Sequence, residues 1–340
     1  MGEFTGPAAV IDGEGRPCNA GWACFPAFVY DPRLLRSPLR NIAACDRYIF
    51  FSPTHLVILE IRDDGYLGYA GLSLVALREK KRVTQTYTIP LSLGSLGLPA
   101  ASESGSIKLK THGAIFEFVS MGAGVRLIRI DMPHFGHHRS LRGEVVLSPA
   151  PGAQAIAANM GWRQAKHAFR YMLHSPGYTV EGVIQAGGAE VVFTRGNSWG
   201  IFEWGRGSRP RRDVRWWASA AGLAHHHLAA LNVGYDSADS REGTENAFFL
   251  DGTLHKLDTV TFHIPPSDWL LPWHFTSNDN RLEMTFTPHQ IRSERYRFLW
   301  YSRKRRQICG FFSGRVILDS GDAFHFKNLT GFAEQVKTRR

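Results

Sequence analysis

The residues best suited to chemistry lie in one segment, Asn197-Ser198-Trp199-Gly200-Ile201-Phe202-Glu203-Trp204-Gly205-Arg206-Gly207. On a strand, successive side chains alternate between faces, so Trp199, Ile201 and Glu203 point the same way. A carboxylate then sits on an otherwise apolar face, where an unpaired charge is very costly. Arg206 is the nearest cation, and a bulge at Gly205 and Gly207 would carry it onto that face. Such a pair could serve as an acid with its electrostatic partner, or simply pin a strand end. Downstream, Trp216 and Trp217 point to opposite faces, one toward core and the other toward a cavity wall. Asn232 follows, then Thr244-Glu245-Asn246 ahead of the apolar Ala247-Phe248-Phe249. Two carboxylates, Glu203 and Glu245, could divide acid and base roles if their surroundings pushed their pKa values apart.

The catalytic candidates are therefore Glu203, Arg206 and Glu245. Candidate ligand contacts are Trp199, Trp204, Trp217, Asn232, Asn246, Trp273 and His274. The last two belong to Trp273-His274-Phe275, which enters the polar turn Ser277-Asn278-Asp279; a satisfied interior histidine is the plainer reading of His274. The histidine clusters His134, His137, His138 and His225-His226-His227 lack the carboxylate spacing of catalytic metal motifs, although His225 and His227 would share a face on a strand. No metal and no cofactor is expected. Glycine-rich nucleotide loops, a Gly-x-Ser-x-Gly elbow and the kinase set are all missing, which disfavours the common nucleotide-driven enzymes and serine hydrolases.

The elements that must position these residues read as strands. The chain has 340 residues, 44% of them hydrophobic and 21% charged, so a real core is expected. Arg47–Phe51 and His55–Ile61 are strand-like, and Asp63-Asp64-Gly65 and Asp251-Gly252 supply the positive-φ turns that hairpins prefer. Ser148-Pro149-Ala150-Pro151-Gly152 is the clearest break, and the alanine-rich Ala153 to Arg163 reads as a short helix. About eight to ten strands fall on each side of the break, by period and turn spacing. The expected organisation is a wrapping segment over 1–40, a first β-barrel over 41–150 and a second over 151–340.

The formal charge of +10 implies attraction to anions in general. Its densest run is Arg292, Arg295, Arg297 and then Arg303-Lys304-Arg305-Arg306, whose second part lies between apolar strand-like stretches and reads as a solvated hairpin tip. Cys18, Cys24, Cys45 and Cys309 are too few for a disulfide scaffold and form no Cys-x-x-Cys pair. The opening residues lack a signal peptide's apolar core, and no window reaches the length of a membrane span. A cytoplasmic protein without integral membrane association is expected.

Trp204-Gly205-Arg206-Gly207, Trp216-Trp217-Ala218-Ser219 and Thr244-Glu245-Asn246 with Asp251-Gly252 resemble a bacterial domain-of-unknown-function family, number 2804. So do Tyr48-Ile49-Phe50-Phe51-Ser52-Pro53-Thr54-His55, Asp64-Gly65-Tyr66, and the closing Phe312-Ser313-Gly314 through Gly331-Phe332-Ala333-Glu334. The resemblance runs from about Gly21 to Val336. It departs at Glu203, where the family often has Asp, and at Ser208-Arg209-Pro210, where the family has an aromatic. That family is distantly similar to tandem lipocalin-like proteins of the carotenoid hydratase and AttH type. The resemblance implies an all-β fold of two antiparallel lipocalin-like, calycin-type barrels in tandem, and an apolar or amphipathic small molecule as partner. It carries no catalytic residue over.

Three functions follow as expectations. The first is an enzyme that hydrates, isomerises or cyclises such a molecule, with Glu203 as acid. The second is a small-molecule or lipid carrier using the same cavity without turnover. A weaker third is an anionic partner, nucleic acid being the less expected kind, engaged through Arg303–Arg306.

Overall fold

A computed structural model describes residues 2–136, 139–236, 238 and 244–340. Among these the fold is all-β, and the helical turns are two short 3-10 segments, Pro32–Leu34 and Leu39–Asn41. One large sheet runs in the order Lys81–Pro90, Leu67–Ala76, His55–Asp63, Ala44–Phe51, Trp199–Ser208, Phe169–Ala186, Arg139–Pro149, Arg126–Phe135, Ala114–Ser120 and Ile107–Thr111. Shorter strands Ala189–Phe193, Ile156–Gly161 and Gly21–Ala23 pair at its margin. A second sheet runs Thr253–Lys256, Ala247–Leu250, His227–Asp236, Arg212–Ala224, Ala323–Arg339, Tyr301–Ile317, Leu282–Phe298, Trp273–Ser277 and Val260–His263.

Sheet membership therefore changes between Ser208 and Arg212, and the proline-rich stretch at 148–152 does not separate the sheets. That stretch is a turn within the first sheet, and the chain crosses back so that strand 199–208 can pair with strand 44–51. The expected helix after it is the strand Ile156–Gly161, paired with strands 169–186 and 21–23. Ala157 and Ala158 are fully buried there, so their small size serves close packing rather than helix propensity.

The three largest apolar clusters among the described residues occupy distinct places. Tyr48, Phe50, Phe116, Phe169, Phe202 and Trp204 fill the concave side of the first sheet. Phe248, Trp273, Phe275, Phe286 and Phe312 fill that of the second. Ile49, Phe51, Ile201, Trp217, Phe249 and Phe332 pack the two sheets against each other. Strand 44–51 serves two of these cores and is buried at every position. A strand buried on both faces shows no polar alternation.

The expected hairpin turns form, with Gly65 at φ 74° and Asp251-Gly252 at 49° and 83°. His225 and His226 also lie in a turn, at φ 52° and 69°, so His225 and His227 do not share a strand face. His137 and His138 lie outside the described residues. The basic run is no hairpin tip: it sits inside strand 301–317, and the tip is Leu299-Trp300.

Candidate functional site

Four adjacent strands of the first sheet set polar residues directly opposite one another. His174 faces Glu203, Glu203 faces Arg47, and Arg47 faces Glu60. All four are buried. Strand alternation turns this row toward the second sheet, as it turns Ile49, Phe51 and Ile201. Opposite it stands a second row in which Trp217 faces Glu334 and Glu334 faces Gln307.

The two rows close into one ionic network. Arg47 lies 3.1 Å from Glu60, 3.5 Å from Glu203 and 3.3 Å from Glu334. Arg305 reaches Glu60 at 2.9 Å and Glu334 at 2.8 Å, and Arg62 reaches Glu60 at 2.7 Å. Gln307 donates to Glu334, and Arg82 donates to Gln307. Burial opposes the charge on Glu334, but Arg305 and Arg47 outweigh it and hold the pKa at about 2. Glu60 is likewise held well below the ordinary value by Arg47, Arg305 and Arg62 against its burial.

His174 Nδ1 lies 3.1 Å from Glu203 Oε1, and its buried Nε2 has no hydrogen-bond partner. The ring is 6.4 Å from that of Trp217 and 6.3 Å from that of Phe249. The guanidiniums of Arg47 and Arg215 each lie 5.0 Å from the Trp217 ring centre, a cation–π geometry. Arg215 in turn binds Glu245 at 2.5 Å. Trp217 Nε1 donates to Asn232, whose amide donates to the Glu245 carbonyl. Trp217 thus joins the Glu203 and Glu245 clusters. Burial works against ionisation of Glu245, but Arg215 and Arg170 prevail and lower its pKa.

At the other end of the network is a cavity of about 30 Å³, bordered by Glu60, Tyr69, Ser73, Thr84, Arg303 and Arg305. Tyr69 donates to Tyr301 at 2.8 Å, and Tyr301 donates to Asp64 at 2.7 Å. This chain of donors couples the sheets through hydroxyls. Among the described residues, no group of three or more His, Cys, Asp or Glu side chains is placed to hold a metal.

Of the residues singled out by sequence, Glu203, Trp217, Asn232 and Glu245 meet here. Asn246 stands beside them in a structural role, accepting from Gly234 N and donating to the Asp258 carbonyl. Arg206 does not pair with Glu203. The register of strand 199–208 runs unbroken from Phe202 to Ser208, with no bulge, so Arg206 stays on the opposite face. There it binds Asp46 at 2.7 Å and lies 4.3 Å from the ring centre of Trp204, which packs in the first core. Trp199 is half-buried at the strand's start. Trp273 is in the second core with Phe286, and His274 is exposed beside Thr285.

Sequence reasoning missed Arg47, Glu60, His174 and Glu334, and it placed Arg305 on a solvated tip rather than in this layer. The available signal was a charge inside an apolar strand, as in Arg47 ahead of Tyr48-Ile49-Phe50 and Glu60 between Leu59 and Ile61. Lys256 was missed as well. It is half-buried, donating to Thr244, Asn246 and the Leu257 carbonyl, and its desolvation pushes its pKa down to about 8.

Two large sheets with a polar layer between them define an all-β protein. The chain belongs to the family described as a domain of unknown function (DUF2804), matched over residues 1–339. A search of curated proteins by sequence finds no match. Among solved structures the chain is similar to kievitone hydratase from Nectria haematococca, at 8% identity and a TM-score of 0.50, covering 87% of this chain and 89% of that one. It is also similar to a putative AttH from Nitrosomonas europaea, at 13% identity and a TM-score of 0.47, covering 86% and 91%. A third likeness is to CghA with Sch210972, at 10% identity and a TM-score of 0.44, covering 88% and 89%. At these identities the likeness is one of fold.

Proposed function

We propose that this protein binds an amphipathic small molecule against the polar layer between its sheets, and that the His174–Glu203 pair moves a proton on it. One observation carries the reading. A carboxylate fixes His174 through Nδ1, which leaves a buried Nε2 unpartnered beside Trp217 and Phe249. A histidine oriented in this way is the usual arrangement for acid–base work, and aromatic walls suit an organic ligand. Glu245 has a different part. Its lowered pKa keeps it anionic, so it supplies negative charge rather than a proton.

The reading also takes each sheet to be a lipocalin-like barrel, in tandem. Contacts between distant strands support this. Tyr87 donates to the His134 carbonyl in the first sheet, and Tyr235 meets Phe262 at 5.2 Å in the second. The barrel interiors are occupied by side chains, which moves the ligand site from a barrel cavity to the layer between sheets. The cavity of about 30 Å³ there is far below the ~300 Å³ or more of a drug-sized pocket. The ligand must therefore part side chains as it enters.

Binding without turnover is the second reading. It is favoured by the pairing of Glu60, Glu203 and Glu334 with Arg47, which holds these acids in fixed ion pairs. Mass spectrometry of small molecules released from the purified protein identifies the ligand for either reading. Turnover of that ligand should then fall by about a hundredfold or more in His174→Asn and in Glu203→Gln. Binding retained with no turnover in the parent protein leaves the carrier reading. Full turnover in both variants removes the His174–Glu203 pair from the chemistry.

A further inference from the structure

The face of the second sheet turned away from the first sheet, here its outer face, carries the second core and, beyond the end of that core, cations set directly against cations. Arg295 faces Lys304, and Lys304 faces Lys337 on the next strand. One row along, Ser302 stands between Arg297 and Arg339, and Arg339 faces Arg212. Like charges directly opposite on neighbouring strands are destabilising. All six of these basic side chains are exposed, and none is in an ion pair with another described residue. The alternate residues of the same strand, Arg303 and Arg305, point inward and are paired with Asp64, Glu60 and Glu334. Acidic partners are thus supplied to the inner face and withheld from the outer one.

Beside these rows the hairpin turn projects Leu299 and Trp300, which are 64% and 73% exposed and are the two most exposed large apolar side chains among the described residues. The basic rows and this tip border one concave surface of about 610 Å³. Leucine and tryptophan at a protruding turn, backed by a field of lysine and arginine, match the depth profile of a lipid interface. The apolar tip would enter the headgroup boundary while the cations meet anionic headgroups.

We propose that this face docks the protein on anionic lipid bilayers, with Leu299-Trp300 inserted and Arg295, Arg297, Lys304, Lys337, Arg339 and Arg212 on the headgroup phosphates. A single-stranded nucleic acid would use the cations alike, but it would find Trp300 as the one exposed aromatic among them and no run of stacking platforms.

Co-sedimentation of the full chain with vesicles tests this. The protein should partition onto vesicles of phosphatidylcholine mixed with phosphatidylglycerol and remain free with phosphatidylcholine alone. Raising the salt should weaken the partitioning. The triple variant Lys304→Gln, Lys337→Gln, Arg339→Gln should lose about tenfold or more of the binding. Because these positions are exposed and their like charges repel, a circular dichroism melt no lower than the parent's should accompany that loss. Trp300→Phe should keep most of the binding and lose the fluorescence quenching that brominated lipid causes in the parent protein. Equal binding to both vesicle types, full binding by the triple variant, or quenching unaffected by Trp300→Phe would each overturn the proposal. Retention of a single-stranded oligonucleotide without vesicle binding would overturn it in favour of nucleic acid.

Discussion

Arg47 is the residue on which the buried layer turns. Its guanidinium touches Glu60, Glu203 and Glu334, two from the first sheet and one from the second, and it lies over Trp217. Burial alone would disfavour its charge, but the three acids raise its pKa. Arg47→Met removes that cation and leaves three buried carboxylates short of a partner. Breaking a buried pair in this way costs about 3–5 kcal/mol, because the orphaned charge is the expensive part. Urea unfolding at neutral pH should show a loss of that size. Arg47→Lys should recover little of it, since an ammonium lacks the planar fork that reaches several carboxylates together. A loss below that of an ordinary surface substitution would mean that water reaches this layer.

At the scale of elements, the three long strands 282–298, 301–317 and 323–339 separate two kinds of surface by alternation alone. Arg303, Arg305 and Gln307 turn inward on strand 301–317, whereas Lys304 and Arg306 turn to solvent. Close approach between strands depends on glycine at particular points. A Cβ added at Gly331 would collide with the Ser219 carbonyl oxygen on strand 212–224, a backbone atom that cannot step aside. At Gly222, the nearest atom is a Leu329 methyl at 3.4 Å. Gly331→Ala should therefore cost about 1–3 kcal/mol through overpacking, while Gly222→Ala should be close to neutral. Thermal melts of the two variants check the contrast. Equal melting temperatures would show that the sheet adjusts its spacing at Gly331.

At the scale of the molecule, the ionic layer ties sheet cohesion to pH. The Glu334 carboxyl ordinarily titrates at 4.5, and in the fold it is held at about 2 by Arg305 and Arg47 against its burial. Glu60 is depressed for the same reason. As pH falls, the unfolded chain takes up these protons first. The stabilisation is therefore complete above about pH 4.5 and is lost as pH drops toward 2. Melting temperature should fall steeply across that window, and Glu334→Gln should flatten the fall. A variant with the parent's pH profile would show that other carboxylates carry the acid transition.

The sequence by itself settled what depends on local rules. The all-β class, the turns at Asp64-Gly65 and Asp251-Gly252, the opposed faces of Trp216 and Trp217, and the inward Glu203 all follow from alternation and turn chemistry. The tertiary structure decided who meets Glu203. Strands 44–51, 55–63, 169–186, 301–317 and 323–339 bring Arg47, Glu60, His174, Arg305 and Glu334 to the layer from distant parts of the chain, and register is a property of paired strands. It also turned the alanine-rich 156–161 into a strand, placed the sheet change after Ser208, and split the basic run into the buried, paired Arg303 and Arg305 and the exposed Lys304 and Arg306. Each of these outcomes rests on a long-range pairing, whose stability comes from surface buried between segments that no window of sequence contains together.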